Sequence, residues 1–392
     1  GGAAAGEAKG QAGEARAPRL PRPSVENSPE DFRSLRTMWS RRTDDAKIAH
    51  ARRAAMTMSY LRVLLGESKQ GDRDTKPDEG GPLDDGVDDH AESGSPFAVF
   101  AKPKRMAFWH SLIESNAFWI TDDEIRTVGL GIYPMAAMAN HSCSPNAVAM
   151  FQKNTIVIRA LRDIKRGDEI CVSYVDLCAS KQERQLSLEE KYGFKCECKR
   201  CVGSVGNLKH IDYKLKEMSI NPQQPKSRKQ FIELKKAAMS ANELLGQGAN
   251  EDAFNLFTTT ISEAKGILGK SHALLTRMYT GAAHAAVGLK KFEAAKEYLE
   301  LSLKGFEVCY PGPHPVMAVD MLMYAKVCSY LGDLQQAQRE FRRASITLEI
   351  THGSDNLLYK ECIMRANEIS AELAESRRRK HEDTGNVASA GE

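Results

Sequence analysis

Apolar positions in the carboxy-terminal half of the chain recur at helical spacing. Two stretches of this half resemble each other, one beginning at His272 and the other at His314. In each, an apolar helix runs to a glycine, and a second helix carries alanines at its packing positions. Helix–turn–helix units of about 40 residues are typical of repeat arrays in which small residues let helices nest. The pattern therefore predicts an all-α, tetratricopeptide-like domain over residues 228–375.

Two interpretations of the predicted repeats stay open. Arrays of this kind present a concave face to peptides, which makes a peptide a candidate partner. The same pattern also fits a plain helical bundle that only supports the domain before it. The sequence does not decide between them.

Residues 97 to about 203 show a different pattern, with short strands mixed among helices. Residues 154–161 alternate and are rich in β-branched side chains, so we predict a strand there. A turn built on Gly167 follows, and residues 170–175 are predicted to be the strand that pairs with 154–161. The fold class predicted for the whole chain is therefore α+β, with a small strand core followed by helices.

Three segments of the chain, two terminal and one internal, have compositions that are typical of disordered regions. Residues 1–25 are rich in Ala, Gly, Pro and Arg and are predicted to be disordered, followed by a helical segment over 26–65. Residues 66–96 are predicted to be an acidic disordered linker, since the acids lack the alternating spacing of a calcium loop. Residues 376–392 are predicted to be a disordered tail, whose basic run also fits a nuclear-localisation signal.

Composition and charge exclude several classes of partner. The chain has 392 residues, 42% hydrophobic and 27% charged, with a net charge of +3. This charge is too small to draw the whole molecule onto nucleic acid, and no basic stripe with interleaved aromatic residues is present. No apolar run approaches the roughly 20 residues that span a bilayer. We therefore expect neither direct nucleic-acid binding nor membrane binding.

The nine cysteines indicate metal chemistry. Cys196, Cys198 and Cys201 form a CxCxxC cluster, which supplies three thiolates where a structural zinc needs four ligands. Spacing alone leaves Cys143 and His141 as competing candidates for the fourth position. A reduced metal cluster of this kind favours the nucleus and/or the cytoplasm. The other cysteines are predicted to be buried small hydrophobes: Cys171, Cys178, Cys309, Cys328 and Cys362.

Three motifs occur together in an order that resembles a known family. They are "NHSCSPN" at 140–146, "GDEICVSYVD" at 167–176 and "YGFKCECKRC" at 192–201. Together with "SNAFWITDDEIRTVGLGIYP" and the helical domain, they resemble the SET-and-MYND (SMYD-type) protein-lysine methyltransferases over residues 97–375. The resemblance implies the carboxy-terminal portion of a SET domain at 97–185 and a zinc-bound post-SET segment at 186–205.

The resemblance also implies an activity and a set of site residues. The activity would be S-adenosylmethionine-dependent methylation of a lysine in a protein substrate, a histone or another protein. The NHSC segment and the SYVD strand would be threaded in a pseudoknot that forms the cofactor pocket. Tyr174 would lie at the methyl-transfer centre, and Cys143 would be the fourth zinc ligand beside Cys196, Cys198 and Cys201. The implied cofactor-binding residues are Asn116, Asn140, His141, Tyr174 and Phe194.

Each implied role has a plainer alternative. Tyr174 could be a strand tyrosine in a hydrophobic core, and Phe194 an ordinary core aromatic. Asn116 could close a helix, where Asn is common.

The sequence departs from the family pattern at its front. The first SET strands and the cysteine-rich MYND zinc module are not visible, and no cysteine precedes Cys143. An alternative function therefore accompanies the enzyme hypothesis: a non-catalytic, zinc-stabilised SET remnant that acts as a protein-interaction scaffold through its helical repeats.

Overall fold

A computed structural model describes residues 103–389 apart from 204–207, 217, 219–223 and 311. The segments predicted over 1–25, 26–65 and 66–96 lie outside the described residues. In the described chain the named strands all fall between residues 117 and 172, and only helices are named after them, so the α+β fold class is confirmed. None of the described helices combines the length and the apolar character that a membrane crossing requires.

The described chain opens with a helix and a hairpin. Helix α1 (Pro103–Asn116) leads directly into β1 (Ala117–Thr121), which pairs antiparallel with β2 (Thr127–Ile132). The connecting turn forms around Asp122, whose side chain accepts the backbone N–H of Glu124 at 3.0 Å and that of Arg126 at 2.9 Å. An Asp that bonds the backbone two residues on is a typical turn former.

A second hairpin forms the centre of the strand region. Strands β4 (Ala147–Gln152) and β5 (Thr155–Ala160) pair antiparallel, and Lys153 in the connection takes a left-handed φ of 59°. The strand predicted over 154–161 is confirmed, one residue shorter at each end. The partner of β5 is β4, because the short connection between them leaves the two strands side by side. The predicted partner, residues 170–175, does not pair with β5.

The strand partner predicted for 154–161 was therefore wrong. Only two residues of the predicted strand 170–175 are extended in a ladder, as β6 (Cys171–Val172). They pair in parallel with β3 (Asn140–His141), not with β5. Parallel partners lie far apart in sequence, so local alternation could not reveal this pairing.

Three helices surround this strand region. They are α2 (Pro134–Ala137), α3 (Lys181–Tyr192) and α4 (Lys199–Val202). Helix α3 begins with a capping box, in which the Ser180 hydroxyl accepts the Glu183 N–H and the Glu183 carboxylate accepts the Ser180 N–H. The predicted boundary between residues 185 and 186 consequently falls inside a helix, because the Ser-x-x-Glu signal starts it earlier.

Helices make up the remainder of the described chain. Their bounds are α5 (Leu208–Leu215), α6 (Pro225–Gly246), α7 (Asn250–Ala264), α8 (Ala273–Gly288), α9 (Phe292–Cys309), α10 (Pro315–Tyr330), α11 (Leu334–Thr351) and α12 (Leu357–Ser389). From α6 onwards each helix packs chiefly on its neighbours in sequence, as a repeat array does. The two predicted repeats coincide with the pairs α8–α9 and α10–α11.

Small residues make close helix packing possible here. Ala282, Ala283, Ala285 and Ala286 of α8 are completely buried. At Gly305 of α9, an added Cβ would lie 2.9 Å from Cβ of the α8 residue Thr276. The alanine and glycine positions of the sequence are therefore helix contacts.

The tail that was predicted to be disordered, residues 376–392, is mostly helical in the structure. Helix α12 continues through most of 376–392 and ends at Ser389. Arginine, lysine and glutamate are good helix formers, and Glu375 pairs with Arg379 one turn later. The side chains of residues 376–379 are exposed.

The strand region and the helical region contact each other at several points. The Arg159 Nε–H donates to the Ile350 carbonyl at 3.0 Å, and the Asn356 amide donates to the Asp123 carboxylate at 3.0 Å. A disulfide joins Cys178, before α3, to Cys309 at the end of α9.

The cysteines outside the CxCxxC cluster follow the prediction only in part. Cys178 and Cys309 are buried as predicted but are bonded to each other, and Cys171 is only half-buried. Cys328 and Cys362 are buried free thiols, as predicted. The bonded cysteines are 131 positions apart in sequence, which explains why no local pattern indicated the bond.

Candidate functional site

Two segments about thirty residues apart in sequence meet in the short parallel ladder of β3 and β6. Asn140 lies opposite Cys171, and His141 lies opposite Val172. The ladder continues through the Ser142 N–H, which donates to the Val172 carbonyl at 2.9 Å. The predicted NHSC and SYVD motifs are thereby brought side by side.

Asn146, the last residue of the first motif, fixes this meeting. Its amide oxygen accepts the Cys171 N–H, and its amide nitrogen donates to the Glu169 carbonyl, both at 2.8 Å. Asn146 was not among the predicted site residues, although it is the last residue of the NHSCSPN motif. An Asn that bonds both a donor and an acceptor of another segment acts as a clamp between them.

The His141 ring is bonded at both nitrogens. The Tyr174 backbone N–H donates to Nδ1 at 3.0 Å, which makes Nδ1 an acceptor. Nε2 then carries the proton of the neutral ring and donates to Cys143 Sγ at 3.2 Å. Burial lowers the pKa of His141 to about 4, so the ring is neutral near pH 7. Both ring nitrogens are thereby engaged, which leaves the backbone and the faces of the ring for contact with a cofactor.

Tyr174 points its side chain into an aromatic group. Its ring centroid lies 5.3 Å from that of His141 and 4.8 Å from that of Tyr192. Its hydroxyl donates to the Ala139 carbonyl at 2.6 Å. Burial, reinforced by the neighbouring Tyr192, raises the pKa of Tyr174 to about 12, so the phenol stays protonated at neutral pH. The hydroxyl can therefore orient a polar group but not act as a base.

Phe194 joins the same group from the other side. Its ring centroid lies 6.1 Å from that of His141. Gly193 precedes it with a left-handed φ of 69°, which ends α3 and turns the chain back towards the ladder. The structure thus brings Phe194, His141 and Tyr174 together from three separate segments.

The two asparagines occupy different positions. Asn140 is exposed, and its amide donates to the Glu169 carboxylate at 2.6 Å. Asn116 is the last residue of α1, where its amide donates to the Leu112 carbonyl at 2.8 Å, as a helix-closing residue does. Helix α1 contacts α3, and burial, followed by the charge of Glu114 in α1, raises the pKa of Tyr192 at the end of α3.

Four cysteine sulfurs converge beside this aromatic group. The Sγ atoms of Cys143, Cys196, Cys198 and Cys201 all lie within 4.8 Å of one another. Those of Cys143 and Cys201 are 3.6 Å apart. Hydrogen bonds from Cys143 and Cys201 lower the pKa of Cys198, whereas the hydrogen bonds with Cys198 and Cys201 raise the pKa of Cys143. Of the two candidates that spacing left open, Cys143 therefore stands with the trio, while His141 faces its sulfur from outside.

The donor set fits a tetrahedral zinc ion. Four sulfurs at about 2.3 Å from a zinc ion lie roughly 3.8 Å from one another, close to the 3.6 Å between Cys143 and Cys201. Gln185 secures the later cysteines, since its side chain both donates to the Cys196 carbonyl at 2.7 Å and accepts the Cys196 N–H at 2.9 Å. Nitrogen ligands are not required, because four thiolates complete a structural site.

A separate cavity of about 550 Å³ lies between the strand region and the helices. Ser173 and Val175 line it, whereas Tyr174 between them faces the aromatic group. Arg277 of α8 pairs with Asp176 at 2.6 Å on its wall. None of the five predicted cofactor-binding residues lines this cavity.

The comparisons with known proteins agree with the motifs. The model of the SET domain matches residues 34–175. This range begins upstream of residue 97, where we predicted the SET portion to start. It includes most of the predicted helical segment 26–65 and all of the predicted acidic linker 66–96. It ends one residue after Tyr174.

Curated relatives are histone-lysine and protein-lysine methyltransferases. The chain is 27% identical to the histone-lysine N-methyltransferase SMYD3 of Mus musculus over 67% of this chain and 58% of the relative. It is 26% identical to the histone-lysine N-methyltransferase ASHR1 of Arabidopsis thaliana, covering 67% and 60%. It is also 26% identical to the N-lysine methyltransferase SMYD2-B of Danio rerio, covering 64% and 57%. The chain thus spans less than two thirds of the length of these relatives.

Proposed function

Because the chain belongs to the SMYD-type family of SET-domain proteins, we propose that it is a protein-lysine N-methyltransferase that uses S-adenosylmethionine. The observation that carries the proposal is the ladder of β3 and β6, which gathers His141 and Tyr174 in one place. Asn116, Asn140, His141, Tyr174 and Phe194 are the proposed cofactor-binding residues, and Tyr174 is the proposed catalytic residue.

S-adenosylmethionine supplies a methyl group activated on a sulfonium. The protein's main task is then alignment, since the reacting atoms of a displacement must approach to about 3–3.5 Å. The lysine amine must be neutral, against an ordinary pKa of about 10.4, and an apolar aromatic surrounding favours the neutral form. His141, Tyr174, Tyr192 and Phe194 provide such a surrounding.

Tyr174 supports this role through its hydroxyl. The O–H is used on the Ala139 carbonyl, which leaves the lone pairs of the oxygen able to accept from an amine. Since the phenol stays protonated near pH 7, its proposed contribution is orientation and polar contact, with no proton transfer.

The cysteine cluster is proposed to hold one structural zinc ion. Cys143 comes from the NHSC segment, and Cys196, Cys198 and Cys201 follow α3. A metal bound by all four would join the ladder to the segment that carries Phe194. Its proposed role is to hold the aromatic group together, with no part in the reaction.

Calorimetry and methyl labelling test the proposed activity. The purified chain is titrated with S-adenosylmethionine and then incubated with labelled cofactor and a histone mixture. We expect binding heat, label on lysine and weaker binding in Asn140→Ala, whose exposed side chain makes misfolding an unlikely cause of loss. A folded chain with about one equivalent of zinc but neither heat nor label would exclude the enzyme.

That negative result would favour the second candidate function, a protein-interaction scaffold. The cavity between the strand region and the helices supports this candidate, since its walls hold both apolar and charged side chains and no proposed cofactor residue. We propose that this cavity contacts a peptide of the protein partner. Fluorescence anisotropy with labelled peptides, comparing the wild type with Arg277→Ala, tests that binding independently of methylation.

A further inference from the structure

Two arginines are buried beside the cysteine cluster. Arg184 of α3 is 0% exposed and Arg200 of α4 is 2% exposed. Arginine is rarely buried so completely unless its charge is paired. The groups that balance these two charges therefore need to be identified.

One carboxylate serves both guanidinium groups. Asp212 of α5 accepts from Arg184 Nη1 at 2.7 Å and Nη2 at 3.0 Å, and from Arg200 Nη2 at 3.2 Å. The ion pairs of the described residues offer Arg184 and Arg200 no other carboxylate within 4.0 Å. Among the described residues, two positive charges thus share a single carboxylate, which leaves a net charge of +1 beside the cysteine cluster.

Nε and Nη2 of Arg184 are also directed at the cysteine sulfurs, and its Nη1 donates to the Ala179 carbonyl at 2.7 Å as well. Its Nε–H donates to Cys143 Sγ at 3.2 Å, and Nη2 lies 3.9 Å from Cys201 Sγ. These contacts place the guanidinium group of Arg184 directly beside the sulfurs that would bind the metal.

Arg200 supports the same cysteine through the backbone. Its Nη1 donates to the Cys143 carbonyl at 3.4 Å, and its Nη2 donates to the Leu177 carbonyl at 3.0 Å. Its Nε is buried and has no hydrogen-bond partner among the described residues. The network therefore has donors in excess of acceptors around the sulfurs.

We propose that Arg184 and Arg200, linked by Asp212, are positioning residues for the metal site and counterbalance its charge. Four thiolates around a divalent ion carry a net charge of −2, and the two guanidinium groups together with the Asp212 carboxylate carry +1, which offsets half of it. When four thiols bind a divalent ion they release four protons, and the site changes from neutral to a net charge of −2, so Arg184 favours the loaded form. The inference rests on the zinc site proposed above and adds residues that contact the ligands without binding metal.

The test measures metal affinity in the full chain. Zinc is competed against a chromophoric chelator for the wild type, Arg184→Met, Arg184→Lys and Arg200→Met. Arg343→Met is the matched control, since Arg343 pairs with Glu307 and Glu340 in the helical region. Loss of an outer contact to a metal ligand typically weakens binding about 10- to 100-fold. We expect such a loss for both methionine variants, a smaller loss for Arg184→Lys and none for Arg343→Met.

Thermal melts with and without chelator distinguish a metal role from a purely structural one. If Arg184 stabilises the loaded site, Arg184→Met lowers the melting temperature more in zinc-loaded than in stripped protein. Equal shifts in both forms, or affinities within twofold of the wild type, would overturn the proposal. Should Arg184→Met not fold, the comparison is made with Arg184→Lys and Arg200→Met. A wild type that binds no zinc would remove the metal site itself, and this inference with it.

Discussion

The backbone N–H of Tyr174 donates to Nδ1 of His141 at 3.0 Å, across 33 positions of sequence. The opposite nitrogen of the same ring reaches Cys143 Sγ at 3.2 Å. One imidazole therefore connects the proposed catalytic tyrosine to the proposed metal site. A displacement of Cys143 would therefore be transmitted to the backbone of Tyr174 through the two hydrogen bonds of the His141 ring.

Replacing Tyr174 by Phe separates polar contact from packing. The ring still fills its place between His141 and Tyr192, but the hydroxyl bond to the Ala139 carbonyl is lost. A single hydrogen bond of this kind contributes about 1 kcal/mol to stability, whereas positioning contacts in active sites affect rates by roughly 100-fold. We expect methyl transfer to fall by about two orders of magnitude with a small change in melting temperature.

Labelled methyl transfer and thermal melts, run on the same preparations, check this expectation. Tyr330→Phe is the control, since Tyr330 is 71% exposed in the helical region. Undiminished transfer by Tyr174→Phe would contradict the assigned role.

His272 gives the protein a defined response to acid. Its ring caps α8 by accepting the Leu274 N–H at 3.1 Å, and burial lowers its pKa from 6.5 to about 4. Between these values the unfolded chain holds a proton that the native state does not. Its contribution to the free energy of unfolding is therefore lost as the pH falls from about 6.5 to about 4, by at most roughly 1.4 kcal/mol per pH unit. His272→Asn keeps a capping acceptor and should weaken this dependence.

Urea unfolding at pH 7, 6 and 5 measures this difference in pH dependence between the wild type and His272→Asn.

His284 is expected to affect the pH dependence of stability in the opposite direction. Although burial acts to lower it, the hydrogen bond to Asp320 raises the pKa of His284 above 6.5. Its contribution is present below the unfolded value and is lost as the pH rises through the folded one, so His284→Asn should steepen the loss in acid. Parallel pH profiles for all three proteins would refute this account.

The Cys178–Cys309 disulfide should stabilise the contact between the strand region and α9. A bond that closes a loop of 131 residues restricts the unfolded chain by as much as about 5 kcal/mol in the chain-entropy model. We expect a phosphine reductant to lower the free energy of unfolding of the wild type by several kcal/mol. The double variant Cys178→Ala/Cys309→Ala should be insensitive to the reductant.

Denaturant titrations with and without reductant provide the measurement. Cys328→Ala serves as the control, because Cys328 is a buried free thiol. It should lose stability through packing yet keep the full response to reductant. Alkylation of nine thiols in denatured, unreduced wild type would show that the bond is absent.

Gly305 is expected to be irreplaceable although it lies inside a helix. An alanine Cβ there would meet the Thr276 side chain, 2.9 Å from its Cβ. Overpacking of this kind costs roughly 1–3 kcal/mol, which exceeds the gain of about 1 kcal/mol in helix propensity. Gly246→Ala, with nothing within 4 Å of the new Cβ, should be neutral or stabilising in the same thermal melts. A Gly305→Ala variant as stable as Gly246→Ala would refute the packing argument.

Local patterns in the sequence were sufficient to predict elements that are stabilised by contacts between neighbouring residues. The alanine-rich periodicity after residue 228 predicted the helix pairs, and alternation predicted β5. The capping box at Ser180 and Glu183 is likewise a local pattern, and it begins the helix that spans the predicted boundary at 185/186. Periodicity reports such elements because it reflects the face that each one buries.

Contacts between distant segments were beyond those patterns. The pairing of β6 with β3, the disulfide and the network of Arg184, Arg200 and Asp212 each join residues with no common spacing. The family resemblance implied Cys143 as the fourth metal ligand, whereas spacing alone left Cys143 and His141 as competing candidates for that position.

The sequence by itself determined which segments become helices and which residue types are available for chemistry. Only the tertiary structure decided that the His141 ring bonds Tyr174 and Cys143, and that two buried arginines face the sulfurs. The physical reason is that burial and charge balance depend on everything that surrounds a group. That surrounding is assembled from segments far apart along the chain.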